Sequence, residues 1–231
     1  MKYSILAAHQ DDEFIGCRSL IYSNLSQISN VIFLTNGEIC VNYFVGPEYA
    51  IKRRKEASAW LKSIGIKNIH YLNVPDTWDE MQLIQGIGHE EFLRNHGSTR
   101  AQFLVNRMRE IVKDDVIVCC RANYHPSHIL LKGLAACLPN EKIHYSVLLR
   151  EDASRPAGIY QERCGELYTY TVIYDQQKTL EKNNEFLQYY PSQYNDLAKS
   201  DLHIRNYEYY TTKLQLNIQE THVLYNQNIQ V

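Results

Sequence analysis

The chain has 231 residues, with 24 Lys plus Arg against 26 Asp plus Glu, a formal charge of −2, and a hydrophobic fraction of 45%. That length can bury a substantial core without disulfide staples, and the near-balance of charge argues against a nucleic-acid binder, which carries a basic surplus or stripe. No apolar run approaches the ~18 residues of a membrane helix, and the N-terminus turns polar by His9, too early for a signal peptide, so a cytoplasmic protein is expected.

In chain order, Tyr3 to Ala8, Val31 to Thr35, Ile69 to Leu72, Val116 to Cys120 and Ile143 to Leu149 read as buried strands. Helical patterns lie between them, near Gly16 to Ser26, Glu48 to Ser63, Ser98 to Lys113 and Ser127 to Cys137. Alternation of this kind predicts an α/β fold, a Rossmann-like three-layer sandwich whose mostly parallel sheet is covered on both faces. Asn73 to Gly97 is long for a strand-to-helix link and reads as a substrate loop, or as an inserted helix around Asp79 to Gln85. After a break at Arg155-Pro156-Ala157-Gly158, Tyr168 to Tyr174 reads as a strand and Gln177 to Tyr190 as a helix. With no repeat or flexible linker, residues 1–231 read as a single domain. Residues 1–150 form its core, and 151–231 supply elements that complete it.

The cysteines Cys17, Cys40, Cys119, Cys120, Cys137 and Cys164 show no C-x-x-C spacing, which leaves zinc ribbons and thioredoxin-like sites unsupported. Most lie in apolar stretches and read as small hydrophobes. Tyrosines clustered at Tyr168 to Tyr174 and Tyr207 to Tyr210 read as a polar, sugar-like lining or as amphipathic surface cover.

In parallel α/β sheets ligands bind beyond the carboxyl ends of the strands, at a switch point. The first strand exits into His9-Gln10-Asp11-Asp12-Glu13, an expensive run to hold beside a buried strand without a counter-charge. A phosphate site would place glycines here; this acidic loop suits a cation. The fourth strand exits into Arg121-Ala122-Asn123-Tyr124-His125-Pro126-Ser127-His128. One histidine and one carboxylate from the first loop, with one histidine from the second, make the three-ligand pattern of catalytic zinc. Such a site also accepts iron(II). It lowers the pKa of a bound water to about 7, and a neighbouring carboxylate can act as general base. Asp11 and Asp12 also precede a helix, so capping competes with this reading. Their adjacent side chains diverge, which favours one facing the metal and the other its water. Glu13 either supports a ligand or caps the helix. Arg18 reads as a surface helix arginine or as a contact to an acidic substrate group.

Ala8-His9-Gln10-Asp11-Asp12-Glu13 with Phe14-Ile15-Gly16-Cys17 resembles the A-H-P-D-D-E-x-x-G-C signature of the PIG-L/LmbE-like zinc-dependent deacetylases. His125-Pro126-Ser127-His128 resembles that family's H-P-D-H, and Thr35-Asn36-Gly37-Glu38 its T-x-G-E. Arg53 to Glu56, Val74-Pro75-Asp76, and Lys182 with Tyr190-Pro191-Ser192-Gln193 resemble further elements in the family's order. Two positions depart from the pattern. Gln10 stands where proline is usual, and Ser127 replaces the aspartate of H-P-D-H, which implies an altered setting for the histidines.

The resemblance implies that His9, Asp12 and His128 bind zinc, with iron(II) as the alternative, and that Asp11 is the general base. It implies that His125 stabilises the oxyanion or assists departure of the amine. Arg53 and Asp76 would contact the sugar or its substituent, and Tyr124 would be a mobile oxyanion donor at the substrate site. The implied partner is a small N-acetylated amino sugar or glycoconjugate, with no nucleic acid and no membrane-docking segment; homo-oligomerisation is left open. The alternatives are an amidase acting on a larger acyl group or a non-sugar amide, a metal-dependent phosphoesterase with Arg53, Arg54 and Arg121 as clamp, and a non-catalytic binding module.

Overall fold

The structure, a computed structural model, describes residues 2–40, 43–76, 99–113, 115–121, 126–138, 143–147, 170–173, 176–193, 207–211 and 223–225. The strands are β1 (Tyr3–Ala7), β2 (Ile28–Thr35), β3 (Ile39–Cys40), β4 (Tyr43–Phe44), β5 (Ile69–Val74), β6 (Val116–Arg121), β7 (Ile143–Val147), β8 (Tyr170–Ile173), β9 (Tyr207–Thr211) and β10 (Val223–Tyr225). The helices are α1 (Asp12–Ser23), α2 (Pro47–Ser63), α3 (Thr99–Val112), α4 (Pro126–Ala136) and α5 (Gln176–Tyr189).

Among the described residues, eight strands form one sheet in the order β10-β8-β9-β7-β6-β1-β2-β5, and β3 pairs antiparallel with β4 apart from it. β5, β2, β1, β6 and β7 run parallel; β9 pairs antiparallel with β7 and β8, and β10 with β8. The chain leaves β1 for β2 on one side and later returns to β6 on the other, so the switch point lies between β1 and β6. There the residues that follow β1 meet the start of α4.

Successive strand side chains point to opposite faces, and the core divides accordingly. Ile5, Val31, Phe33 and Val118 pack with α1, α2 and α5 through Phe14, Trp60 and Phe186. Leu6, Ile32, Leu34 and Ile117 pack with α3 and α4 through Met108 and Leu131. This is the three-layer α/β arrangement expected from the sequence. Cys17, Cys119 and Cys120 are buried within it as thiols, not disulfides, which fits the packing reading.

Some boundaries differ from the sequence reading. α1 begins at Asp12, four residues before Gly16, so the acidic run enters the helix. β2 begins at Ile28. β9 and β10 are strands the periodicity did not announce, and the tyrosines at 207 to 210 belong to β9. The inserted helix expected around Asp79 to Gln85 lies outside the described residues, as do Tyr124 and His125.

The C-terminal helix α5 is tied to the core by polar contacts. Glu185 accepts from Arg18 Nε at 2.8 Å, from the Arg18 guanidinium again at 2.7 Å, and from Trp60 Nε1 at 2.6 Å. The Tyr22 hydroxyl also donates to it. Arg18 is therefore buried and faces Glu185. Lys182 is fully buried and donates to the Ile15 carbonyl at 3.3 Å. Among the described residues, no helix is long and apolar enough to cross a membrane.

Candidate metal centre

The site sits where β1 and β6 end. His9 lies just beyond β1, Asp12 opens α1, and His128 lies in the first turn of α4 behind β6. All three are buried, and one ligand atom from each lies within 4.8 Å of the other two. His9 Nδ1 is 3.5 Å and His128 Nε2 is 3.4 Å from Asp12 Oδ2. The two imidazoles stand edge to face, their centroids 5.1 Å apart.

Neighbouring groups orient each of the three. His128 Nδ1 lies 3.0 Å from the carbonyl of Cys120, near the end of β6. A carbonyl only accepts, so Nδ1 carries a proton and Nε2 is the nitrogen turned toward Asp12. Asp12 Oδ2 accepts from the His9 backbone N–H at 2.7 Å, which fixes the carboxylate toward the histidines. Burial would raise the Asp12 carboxyl, but His128 and His9 outweigh it and hold the group far below the usual carboxylate range. Burial likewise pulls His128 down, and Asp12 more than offsets it, so its imidazole is raised. Two nitrogens and one carboxylate oxygen facing a common point are a donor set that fits a divalent cation.

Asp11 occupies the N-cap position of α1 but makes no side-chain cap bond. Its Oδ1 instead accepts from the Arg53 guanidinium of α2 at 2.9 Å. Capping therefore does not account for Asp11. Burial raises the Asp11 carboxyl, with Arg53 opposing and Asp12 adding to the rise. On Arg53, burial acts downward and is outweighed by Asp11, Tyr49, Asp76 and Asp12, so the guanidinium is raised. Three carboxyl groups act on that one guanidinium, and a doubly charged cation beside Asp12 would offset the remaining negative charge.

Glu13 takes a course that the sequence did not suggest. It is fully buried, and its Oε1 accepts from the Tyr190 hydroxyl at 2.6 Å. Burial pushes its carboxyl well above the usual range, against the pull of the Tyr190 bond. Ser192, two residues on, donates to Glu56 from its backbone N–H at 3.1 Å and its hydroxyl at 2.5 Å. The Tyr190–Gln193 motif thus braces α1 and α2 from behind.

Gln10 is also fully buried; its Nε2 donates to the Thr35 carbonyl at 2.7 Å. Gly37, at φ +78°, lies against it: a Cβ there would stand 2.2 Å from Gln10 Oε1 and 3.2 Å from Arg53 Cδ. The glutamine that replaces proline therefore ties the first loop to the end of β2. Arg54, the neighbour of Arg53, donates to Asn36 Oδ1 at 2.5 Å. Both arginines are thus engaged within the protein.

The structure thus brings together His9, Asp11, Asp12, Arg53, Asp76 and His128; Asp76 Oδ1 is 4.0 Å from His9 Nε2. Sequence reasoning did not find that Ser127 Oγ lies 2.8 Å from His9 Nε2, across 118 residues of chain. The serine in H-P-S-H was the available signal, but nothing local says which histidine it meets.

The family model described as PIG-L, GlcNAc-PI de-N-acetylase, matches residues 4–137. No curated protein matches the sequence. The conserved protein TT1542 from Thermus thermophilus is similar in structure at 15% identity and a TM-score of 0.53, over 96% of this chain and 99% of that one. A deacetylase of the teicoplanin biosynthesis pathway is similar at 14% identity and a TM-score of 0.54, over 91% and 96%. The zinc-inhibited form of teicoplanin deacetylase Orf2 is similar at 12% identity and a TM-score of 0.52, over 91% and 97%. At these identities the likeness establishes the fold.

Proposed function

The chain belongs to the PIG-L family of de-N-acetylases, and from that membership we propose that this N-deacetylase depends on zinc and removes the acetyl group of an amino sugar or amino-sugar conjugate. The observation that carries this reading is the convergence of His9, Asp12 and His128 at the switch point, with the Asp11–Arg53 pair beside it. We take residues 1–231 as one deacetylase domain, a reading supported by the pairing of β9 with β7.

In this reading His9, Asp12 and His128 hold zinc, with iron(II) as the alternative. The bound ion supplies a Lewis acid for the amide carbonyl and brings the ionisation of water to neutral pH. Asp11 receives the water's proton as general base. Arg53 keeps that carboxylate ionised and pointed toward the site, because an uncompensated carboxylate in this buried position would take up a proton. His125 is assigned by resemblance to the oxyanion or to protonation of the departing amine. Arg53, Asp76 and Tyr124 are assigned in the same way to the substrate. Asp11 then passes on its proton, so water adds across the amide and releases acetate and a free amine.

The test is acetate release from a panel of N-acetylglucosamine conjugates by the zinc-loaded protein, run beside Asp11→Ala and His128→Ala. Release by the wild type, lost in Asp11→Ala with zinc retained, is the expected result. Bound zinc with no acetate release would move the substrate to a larger acyl group or a non-sugar amide. A wild type that binds no metal when zinc is supplied would overturn the reading.

A further inference from the structure

His9 is held from its far nitrogen as well as from its near one. On the Nδ1 side lie Asp12 and the point shared with His128. On the Nε2 side Ser127 Oγ stands at 2.8 Å and Asp76 Oδ1 at 4.0 Å. Ser127 is fully buried and Asp76 nearly so. The two come from different parts of the fold. Ser127 belongs to the first turn of α4, next to His128, whereas Asp76 follows β5, at the far edge of the parallel strands.

A neutral imidazole carries one proton, and the nitrogen that faces a cation must be the bare one. With the donor set converging on Nδ1, the proton belongs on Nε2, where the Ser127 hydroxyl accepts it. A carboxylate 4.0 Å away favours an N–H at that nitrogen. Outer partners of this kind fix the tautomer and ring plane of a metal-binding histidine and raise its basicity. A serine alone is a weaker partner than a carboxylate. Here the negative charge comes instead from Asp76, beyond another strand.

We infer that Ser127 and Asp76 are joint positioning residues for His9: the serine takes the Nε2 proton and the aspartate supplies the charge behind it. This goes beyond the sugar contact assigned to Asp76 and rests on the reading of His9, Asp12 and His128 as a metal site.

The experiment measures zinc affinity by competition with a chromophoric chelator, and the visible spectrum of the cobalt(II)-loaded protein, which reports ligand geometry independently of turnover. Wild type is compared with Ser127→Ala, Ser127→Asp, Asp76→Asn and the Ser127→Ala/Asp76→Asn pair. Each of Ser127→Ala and Asp76→Asn should weaken zinc about 10- to 100-fold and alter the cobalt spectrum. Ser127→Asp should restore both, and the pair should lose less than the product of the single losses, because both residues act on one nitrogen. A merely structural role would lower the melting temperature of the metal-free protein while leaving the cobalt spectrum of the folded fraction unchanged. Unchanged zinc affinity and spectrum in both single variants, with wild type binding normally, would overturn the inference and leave the metal site standing. An effect in Ser127→Ala but only a raised KM in Asp76→Asn would overturn the part assigned to Asp76. A wild type that binds neither ion would instead overturn the metal-site reading on which the inference rests.

Discussion

Arg53 and Asp11, from α2 and the loop after β1, form a buried ion pair with 2.9 Å between Nη2 and Oδ1. Breaking a buried pair by removing one partner strands the other charge, typically at a cost of about 3–5 kcal/mol. Arg53→Ala should therefore lose stability of that order in urea unfolding. Adding Asp11→Asn should recover part of it, because the stranded carboxylate is gone. The same pair predicts a kinetic effect. Burial already raises the Asp11 carboxyl against the opposing guanidinium, so losing Arg53 raises it further. A base must be ionised, and activity is lost as pH falls through its pKa. The acid limb of the kcat/KM profile in Arg53→Ala should therefore lie at higher pH than in the wild type. A residue that only touched substrate would raise KM and leave that limb in place.

Gly37 is required by both conformation and space. Its φ of +78° costs an ordinary residue about 1–2 kcal/mol, and an added Cβ would stand 2.2 Å from the fully buried Gln10 side chain. Gly37→Ala should lower thermal stability by more than the backbone term alone. Combining it with Gln10→Ala should recover the steric part and keep the conformational part. Equal melting temperatures for Gly37→Ala and the double variant would show that Gln10 is not the obstacle.

At alkaline pH one sensitive contact is that of Tyr22 with Glu185. Burial and the bond to Glu185 push its hydroxyl up to about 12, above the ordinary value of about 10. The native state thus holds the proton more tightly than the unfolded chain does. The stabilisation is fully present below about pH 10 and is lost as pH rises through about 12. Urea unfolding of wild type and Tyr22→Phe should differ by a constant amount up to about pH 9, and the difference should shrink between about pH 10 and 12.

Metal binding should show as stability. A ligand that binds only the native state adds about 2.7 kcal/mol at a free concentration of 100 times Kd. Zinc should accordingly raise the melting temperature of the wild type, and a chelator should reverse the rise. His128→Ala should melt at the same temperature with and without zinc, having lost one of three donors.

Where each face of a strand is buried against helices, sequence pattern and structure agree, because the continuous apolar runs that mark β1, β2 and β6 supply both cores, successive side chains going to opposite faces. The grouping of the candidate site was legible for a related reason: His9, Asp12 and His128 stand near strand ends, which the topology of a parallel sheet brings side by side. What the sequence hid depends on pairing across distance. β9 and β10 are short strands whose place is set by antiparallel partners, and no periodicity of five or three residues announces them. The partner of Asp11 lies 42 residues away and that of Glu13 lies 177 away. Local sequence gives a buried carboxyl group its need for a partner without naming which one.

The donors at positions 9 and 12 come together with the one at 128 only after β6 has found its place beside β1. More than a hundred residues intervene, and closing so long a loop carries an entropic cost that grows slowly with length. A cation on these side chains would therefore act as a removable cross-link between the two halves of the sheet. It can slow the separation of β1 from β6 once they are paired, yet it cannot hasten their meeting, because no three-donor site exists before that step. In kinetic terms, added zinc should reduce the unfolding rate and leave the refolding rate nearly untouched.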